Sequence, residues 1–391
     1  MLNFEFLLAN SILLTILEEI GVKKVINAWG TVTVLGGTTM SNEVIEAMRE
    51  ASKVYVDMKN LHNNAGNIIA KMLNVEAVCI SSGATAGLVL ATAACITRGD
   101  TEKILALPKS NYSKNKVVVQ TLHRNAFVNI LRIGGAELIQ VGSETGTKPK
   151  DLEDVLDDTV AVVMYFVFDP QPGVLPLQEV IRLAHKKSIP VIVDAAAELP
   201  PVANLTEFTR MGADLVVFSG GKAIGGPNNT GLIIGRRDLI ETCLRLEYYE
   251  YVGSDTIALL GRAMKVSKED ILAIVTALRQ YLERDHDKEM KSWEEKVDSM
   301  ISGLSKSRLS KARKEYPGSG HGPRPLVIPR AAIDFNENKI GVNAQEISEI
   351  LRAGDPSIYV YVKDNVLFLN QQCLQDQEEK IIVSRLIEIS G

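Results

Sequence analysis

Short runs of consecutive apolar residues, many of them β-branched, recur through the first two thirds of the chain, and each closes on a polar residue or glycine. Cys79-Ile80 runs into Ser81-Ser82-Gly83, Lys116 to Gln120 into Thr121, and Ala136 to Val141 into Gly142. Val160 to Phe168 stops at Asp169, Pro190-Val-Ile-Val at Asp194, Leu215-Val-Val-Phe at Ser219, and Leu232-Ile-Ile at Gly235. Runs without polar alternation predict strands covered on both faces, the pattern of a parallel sheet between helices. Between them the spacing turns helical over residues 43–53, 63–73, 177–187 and 268–283, with Ser41 placed to cap the first. Strand and helix alternate, so the predicted fold is α/β, with a mostly parallel, doubly wound sheet.

The two ends read differently. Phe4 to Ile16 is apolar but short, is interrupted by Asn10 and Ser11, and meets Glu18-Glu19. It has neither the basic start of a signal peptide nor the length to cross a bilayer, and predicts an amphipathic helix on the body or on a partner subunit. Leu13 to Ile20 has helical spacing and stops at Gly21, and an extended segment with a Gly36-Gly37 pair follows. From Arg284 to Arg324 the composition shifts to Lys, Glu, Ser and Gly, which predicts a charged helix and then a loose connection. Strands are expected at 326–328, 332–334, 358–362 and 366–369, and helices at 344–352 and 377–389, together a smaller α+β domain. The expected division is therefore 1–40 for the N-terminal helix and extended segment, 41–283 for the large domain, and 284–391 for the small one.

Composition narrows the function. The 391 residues are 46% hydrophobic and 23% charged, with a net charge of −5. That profile carries no basic field for nucleic acid. Cys79, Cys95, Cys243 and Cys373 lie far apart without a CxxC or Cys/His cluster. This argues against zinc and against a disulfide framework, and fits a reducing cytoplasm. No metal is expected.

In open α/β sheets ligands collect beyond the carboxyl ends of the strands. Two adjacent runs there deliver Asp194 and, after Ser219-Gly-Gly, Lys222. Taken singly, Asp194 could cap a helix and Lys222 could be a solvated loop lysine. Taken together they match a pyridoxal 5'-phosphate (PLP) site: the lysine forms an imine with the cofactor aldehyde, and the carboxylate keeps the pyridine nitrogen protonated. The Ser81-Ser82-Gly83-Ala84-Thr85 stretch adds a small-residue helix start, which offers unpaired N–H groups to a phosphate.

VDAAAELPP and FSGGKAIGGPNNTGLIIGRRDLI resemble the fold-type I PLP enzymes. They resemble in particular the branch that holds bacterial selenocysteine synthase (seryl-tRNA selenium transferase) and D-glucosaminate-6-phosphate ammonia-lyase. VINAWGTVTVLGGTTMS, YVDMKNLHNNAGNIIAKML, ISSGATAGLVLATAACI and GRAMKVSKEDI extend the resemblance over about residues 14–282, with the ammonia-lyase-like members nearer. The resemblance implies that Lys222 carries PLP and Asp194 faces its ring nitrogen. It implies a phosphate grip at Gly83, Ala84 and Thr85, aided by Ser219, and stacking of His123 on the ring. It places Thr230 near a partner subunit's phosphate. Arg124, Gln171, Arg262 and Lys265 become candidates for substrate, and Asn27 and Thr31 weaker ones. Members often carry a carboxylate-binding arginine on a late strand, where this chain has Ile358 to Lys363, which leaves Arg352 as the nearest substitute.

The expected activity is thus a PLP-dependent lyase. It would eliminate and deaminate an amino sugar acid or hydroxy amino acid to a 2-keto acid and ammonia, as a homodimer or higher oligomer. Two alternatives stand beside it: a selenium transferase-like enzyme on seryl-tRNA, and a PLP-fold protein that has lost catalysis and serves as a binding partner.

Overall fold

The structure, a computed structural model, describes residues 16–109, 112–167, 172–305, 311–317, 325–335 and 337–390. The strands in chain order begin with β1 (Val25–Asn27), β2 (Ala77–Ser81), β3 (Lys116–Gln120), β4 (Glu137–Val141) and β5 (Val160–Phe166). They continue with β6 (Val191–Asp194), β7 (Leu215–Ser219) and β8 (Gly231–Gly235). Strands β2 to β8 form one seven-stranded sheet in the order β2-β8-β7-β6-β5-β3-β4. Every pairing is parallel except those of β8, which runs antiparallel to both β2 and β7.

Side chains alternate across this sheet, and both faces are covered. Val118, Val216, Phe218, Leu232 and Ile234 enter one buried cluster, under the helices Met58–Leu73, Leu177–His185 and Lys268–Glu283. Val117, Val119, Leu215, Val217 and Ile233 enter the other, under Ala84–Thr97 and Arg237–Leu246. The period of two thus meets apolar neighbours on each side, which is why these runs show no polar alternation. Burying one such side chain contributes about 1.5–3 kcal/mol, so the sheet is the rigid frame of the molecule.

The remaining strands are β9 (Tyr249–Val252), β10 (Asp255–Ala258), β11 (Lys311–Glu315), β12 (Arg330–Asp334), β13 (Ser357–Tyr359), β14 (Tyr361–Lys363) and β15 (Val366–Leu369). β9 and β10 form an exposed antiparallel hairpin. β11-β12-β15-β14 form a four-stranded sheet, and β1 pairs in parallel with β13. A third core joins Ile26 and Ala28 to Val297, Met300, Ile333, Leu351 and Ile358, so the N-terminal strand packs with the C-terminal elements. Among the described residues no helix is long and apolar enough to cross a membrane.

Several expectations are corrected. Residues 326–328 form a turn, because Pro325 and Pro329 bracket the run and deny it ladder donors. The run at 358–362 is two strands rather than one: β13 pairs with β1 and β14 with β15, with Val360 between them. The helix expected from residue 63 begins at Met58, because Asp57 Oδ1 accepts from the Asn60 N–H at 2.9 Å. The β9–β10 hairpin and β11 were not foreseen, and β11 replaces part of the expected loose connection.

Candidate active site

β2 ends at Ser81, and the helix Ala84–Thr97 starts three residues on with Gly83 at its N-cap. Gly83 has φ 100°, a conformation glycine adopts without strain, and no side chain caps the helix start. The first-turn N–H groups therefore remain available to an anion. β8 begins beside this point: Gly231 is paired with both Ser81 and Ser219, the last residues of β2 and β7. A Cβ on Gly231 would lie 2.7 Å from the Gly83 carbonyl carbon and 2.8 Å from the Ala84 nitrogen, so only glycine lets the helix start sit here.

A cavity of about 330 Å³ opens at this place. Ser82, Gly83, Ala84, Thr85, Leu88, Thr33 and Ser219 line one part of it; Asp194, Ala196, Lys222, Asn228, Asn229 and Phe127 complete it. The donor set fits the cofactor: amides and hydroxyls for a phosphate, a carboxylate for a ring nitrogen, and an amine for an aldehyde. Asp194 closes β6, next to β7 in parallel register, and its Oδ1 accepts from the Ala196 N–H at 3.0 Å. Burial pushes Asp194 up to about 6 from 3.8; the Ala196 N–H and Lys222 pull it down, and Glu198 adds to the rise. Burial lowers the Lys222 ammonium from its ordinary value, against the pull of Asp194 and Glu198. Each charge is costly alone in this environment, which primes the lysine to lose its proton.

Lys222 also lines a second cavity of about 260 Å³, with Thr31, Thr38, Ser41, Gly225, Gln280, Tyr281, Arg284, Glu289, Trp293 and Gln372 among its walls. Of the residues singled out from sequence, Gly83, Ala84, Thr85, Asp194, Ser219 and Lys222 meet in the first cavity and Thr31 reaches the second.

The others lie elsewhere. His123 is 2% exposed, and its ring stands edge-on to Tyr165 at 4.6 Å. Burial lowers its pKa to about 4. The aromatic on the first cavity's wall is instead Phe127, half exposed, which the sequence reading passed over. Thr230 is wholly buried and its hydroxyl donates to the Pro227 carbonyl at 2.7 Å, so it shapes the loop and is not presented to a partner's phosphate. Asn27 organises a turn, its Oδ1 accepting from the N–H groups of Trp29 and Gly30. Arg124 and Lys265 are exposed. Arg262 stacks on Tyr249 at 4.8 Å and Arg352 on Tyr359 at 5.0 Å. None of these four cations lines either cavity, although Ser82 Oγ donates to the Met264 carbonyl at 2.7 Å and so ties the GRAMK turn to the phosphate end. Gln171 lies outside the described residues. Thr33, Phe127, Asn228 and Arg284 were missed, because only the folded chain brings their segments to Lys222.

The fold also gathers a Cys/His group that the sequence spacing hides. Donor atoms of His62, Cys79 and Glu247 lie within 4.8 Å of one another, all buried. Cys79 Sγ approaches His62 Nε2 at 4.0 Å, whereas Glu247 Oε2 approaches Nδ1 at 3.4 Å. Nε2 is 2.7 Å from the Ile80 carbonyl, to which it donates. One ion cannot use opposite edges of one ring, so the group reads as a packed hydrogen-bond network.

The fold and the site together define a fold-type I PLP-dependent enzyme. The chain belongs to the aminotransferase class-V family, which matches residues 31–258. It is 29% identical over 384 residues to a D-glucosaminate-6-phosphate ammonia lyase of Salmonella typhimurium (strain 14028s / SGSC 2262), covering 96% of this chain and 98% of that one. A solved structure of D-glucosaminate-6-phosphate ammonia-lyase superposes with a TM-score of 0.82 at 29% identity, over 96% of this chain and 98% of the other. A 5'-C-glycyluridine monooxygenase-decarboxylase of a Streptomyces species is 31% identical over 386 residues, covering 95% and 91%. An L-seryl-tRNA(Sec) selenium transferase of Aquifex aeolicus (strain VF5) is 25% identical, covering 94% and 84%.

Proposed function

We propose that this chain catalyses the α,β-elimination and deamination of an amino sugar acid or hydroxy amino acid, releasing ammonia and a 2-keto acid. The observation that carries the reading is the meeting of Lys222 and Asp194 in one cavity with an uncapped helix start. When bound, PLP supplies the electron sink that makes an α-proton removable. The amides of Gly83, Ala84 and Thr85, with the Ser219 hydroxyl, would hold its phosphate, while the Ser82 hydroxyl, donated to the Met264 carbonyl, would brace that end of the cavity. Asp194 would face the ring nitrogen and hold a proton there. Lys222 would hold the cofactor through its aldehyde, and its neutral Nζ would serve as the base for the α-proton, a task suited to an amine whose charged form burial disfavours. The same Nζ can return a proton to the departing β-oxygen. Likeness to the ammonia lyase along nearly the whole of both chains supports this chemistry. A transferase acting on seryl-tRNA has less support, because a chain of net charge −5 offers nucleic acid no basic field.

In this reading the working form is a homodimer or higher oligomer. The exposed apolar run Val54-Tyr55-Val56 and the exposed Phe127 and Tyr251 support it. Sedimentation velocity that returns only monomer would count against that part.

The test is the visible absorbance of protein reconstituted with PLP, before and after borohydride, in wild type and Lys222→Ala. A band that borohydride abolishes and the variant lacks establishes attachment at Lys222. Release of ammonia and 2-keto acid from D-glucosaminate 6-phosphate or from D- or L-serine then supports the lyase. Absence of the band in wild type overturns the proposal.

A further inference from the structure

Lys222 stands between two cavities, and the cofactor reading uses only one. The second is lined by Thr38, Lys222, Gly225, Tyr281, Arg284 and Gln372, among others. Two polar atoms of this lining, Tyr281 Oη and Gln372 Oε1, are buried without a hydrogen-bond partner. Tyr281 as a whole is 1% exposed. Buried polar atoms in folded proteins are nearly always satisfied, so two such atoms in one cavity wall point to a polar ligand.

Among the described residues Arg284 is the only other cation in that lining. It follows directly on the helix Lys268–Glu283 with extended backbone, at the joint before the helix His286–Leu304. Two contacts fix its guanidinium: it lies over the Tyr281 ring at 5.4 Å, and Nη1 donates to Glu289 Oε1 at 2.9 Å. Nη2 reaches to 4.0 Å from where a Cβ on Gly225 would be. The Gly225 N–H is bonded back to the Lys222 carbonyl at 3.0 Å, so the guanidinium overhangs the turn that carries the reactive lysine.

We infer that Arg284 anchors the α-carboxylate of the amino substrate while Lys222 faces its α-carbon. This rests on the lyase reading above. A guanidinium is a planar fork that matches a carboxylate through two parallel N–H bonds, and Glu289 occupies only its Nη1. Held by ring and carboxylate beforehand, Arg284 loses little freedom when it binds. The Tyr281 hydroxyl can donate to a carboxylate oxygen, and Gln372 Oε1 can accept from a substrate hydroxyl. The assignment supplies the carboxylate contact for which the 358–363 segment offers no arginine. Arg352, the nearest substitute by sequence, is turned onto Tyr359.

The test uses full-length holoenzyme and follows the cofactor's visible absorbance during titration. The probes are D-serine, L-serine and D-glucosaminate, each against its carboxamide, in wild type, R284K and R284M. Wild type is expected to bind carboxylates about tenfold to a hundredfold tighter than carboxamides, the worth of a charge-assisted pair. R284M should lose that preference and keep its substrate-free absorbance band. R284K, which keeps the charge without the fork, should lose at least about threefold of the preference, and carries the test if R284M does not fold. An unchanged preference in either variant overturns the inference, as does a wild type that does not discriminate. It also falls if R284M loses discrimination between D-glucosaminate and its 6-phosphate while carboxylate selectivity is kept. Failure of the lyase reading looks different, as a wild type without the lysine-dependent band.

Discussion

His62 Nδ1 lies 3.4 Å from Glu247 Oε2, and the two side chains are 1% and 3% exposed. Burial lowers the His62 imidazolium to about 4 and drives the Glu247 carboxyl well above its ordinary range, with Arg262 pulling the latter down. At neutral pH the imidazole is therefore neutral, with Nε2 donating to the Ile80 carbonyl and Nδ1 facing both the Tyr248 hydroxyl at 3.3 Å and the Glu247 carboxyl, whose protonated form burial favours. Because the folded pKa of Glu247 is raised, its contribution to stability is complete below the unfolded value of 4.5 and is lost as pH rises through the folded value. Glu247→Gln keeps the shape without a titrating group. It should cost about 1 kcal/mol or less near pH 6 and flatten the alkaline decline seen in wild type. Urea unfolding from pH 6 to 9 measures this, and an alkaline limb equally steep in the variant would refute the assignment.

The Ser82 hydroxyl bonds the Met264 carbonyl at 2.7 Å, from a residue that also lines the phosphate end of the cofactor cavity. Ser82→Ala removes the tie and leaves the carbonyl without this donor. The expected loss is about 1 kcal/mol, or roughly fivefold weaker PLP retention, with attachment at Lys222 preserved. Dialysis of holoenzyme followed by absorbance reads it directly, and retention equal to wild type would show that the tie does not act on the cradle.

The strand ends were legible from sequence because their signal is local. Val191 to Asp194 and Leu215 to Ser219 are apolar on both faces and stop where the sheet stops, so Asp194, Ser219 and the following Lys222 had to fall at one edge. Gly83 was legible for the same reason. Arg284 was not: it sits in a charged stretch typical of a solvated face, and only the packing of Lys268–Glu283 against the Thr38–Ser41 segment makes it a wall of a site. His123 and Thr230 have the right residue types in the right order, but their exposure is decided by neighbours far along the chain. The break at Val360 was equally hidden, since which strand each half pairs with depends on β1 and β15.

Gly231 is where the helix start, β2 and β7 converge, and its missing side chain is what allows it. The added methyl of Gly231→Ala would press on backbone atoms of Gly83 and Ala84 at under 3 Å, which cannot swing aside as a side chain would. Overpacking of this kind costs about 1–3 kcal/mol. Because the displaced atoms are those assigned to the phosphate, PLP affinity should fall together with stability. Thermal unfolding with and without PLP tests this: the wild-type gain in Tm from the cofactor should shrink in the variant, and an undiminished gain would place the phosphate elsewhere.

Asp194 couples function to stability with a definite sign. Burial raises its folded pKa from 3.8 to about 6, so in protein without cofactor its contribution is complete below 3.8 and lost as pH rises through about 6. Two units correspond to roughly 3 kcal/mol. Asp194→Asn removes that ionisation. The stability difference between variant and wild type should therefore grow in the variant's favour by about 2–3 kcal/mol between pH 4 and 7. Activity should move the other way, falling about a hundredfold or more, because an amide cannot hold the ring nitrogen's proton by charge. Attachment of PLP at Lys222 should survive. Denaturant unfolding of cofactor-free protein across this range, with turnover at pH 7.5, separates the two effects. A difference that stays flat across this range would mean that the Asp194 carboxylate is solvated, and one that shrinks as pH rises would mean that the fold stabilises its charge; either would refute a carboxylate held at a cost for the cofactor.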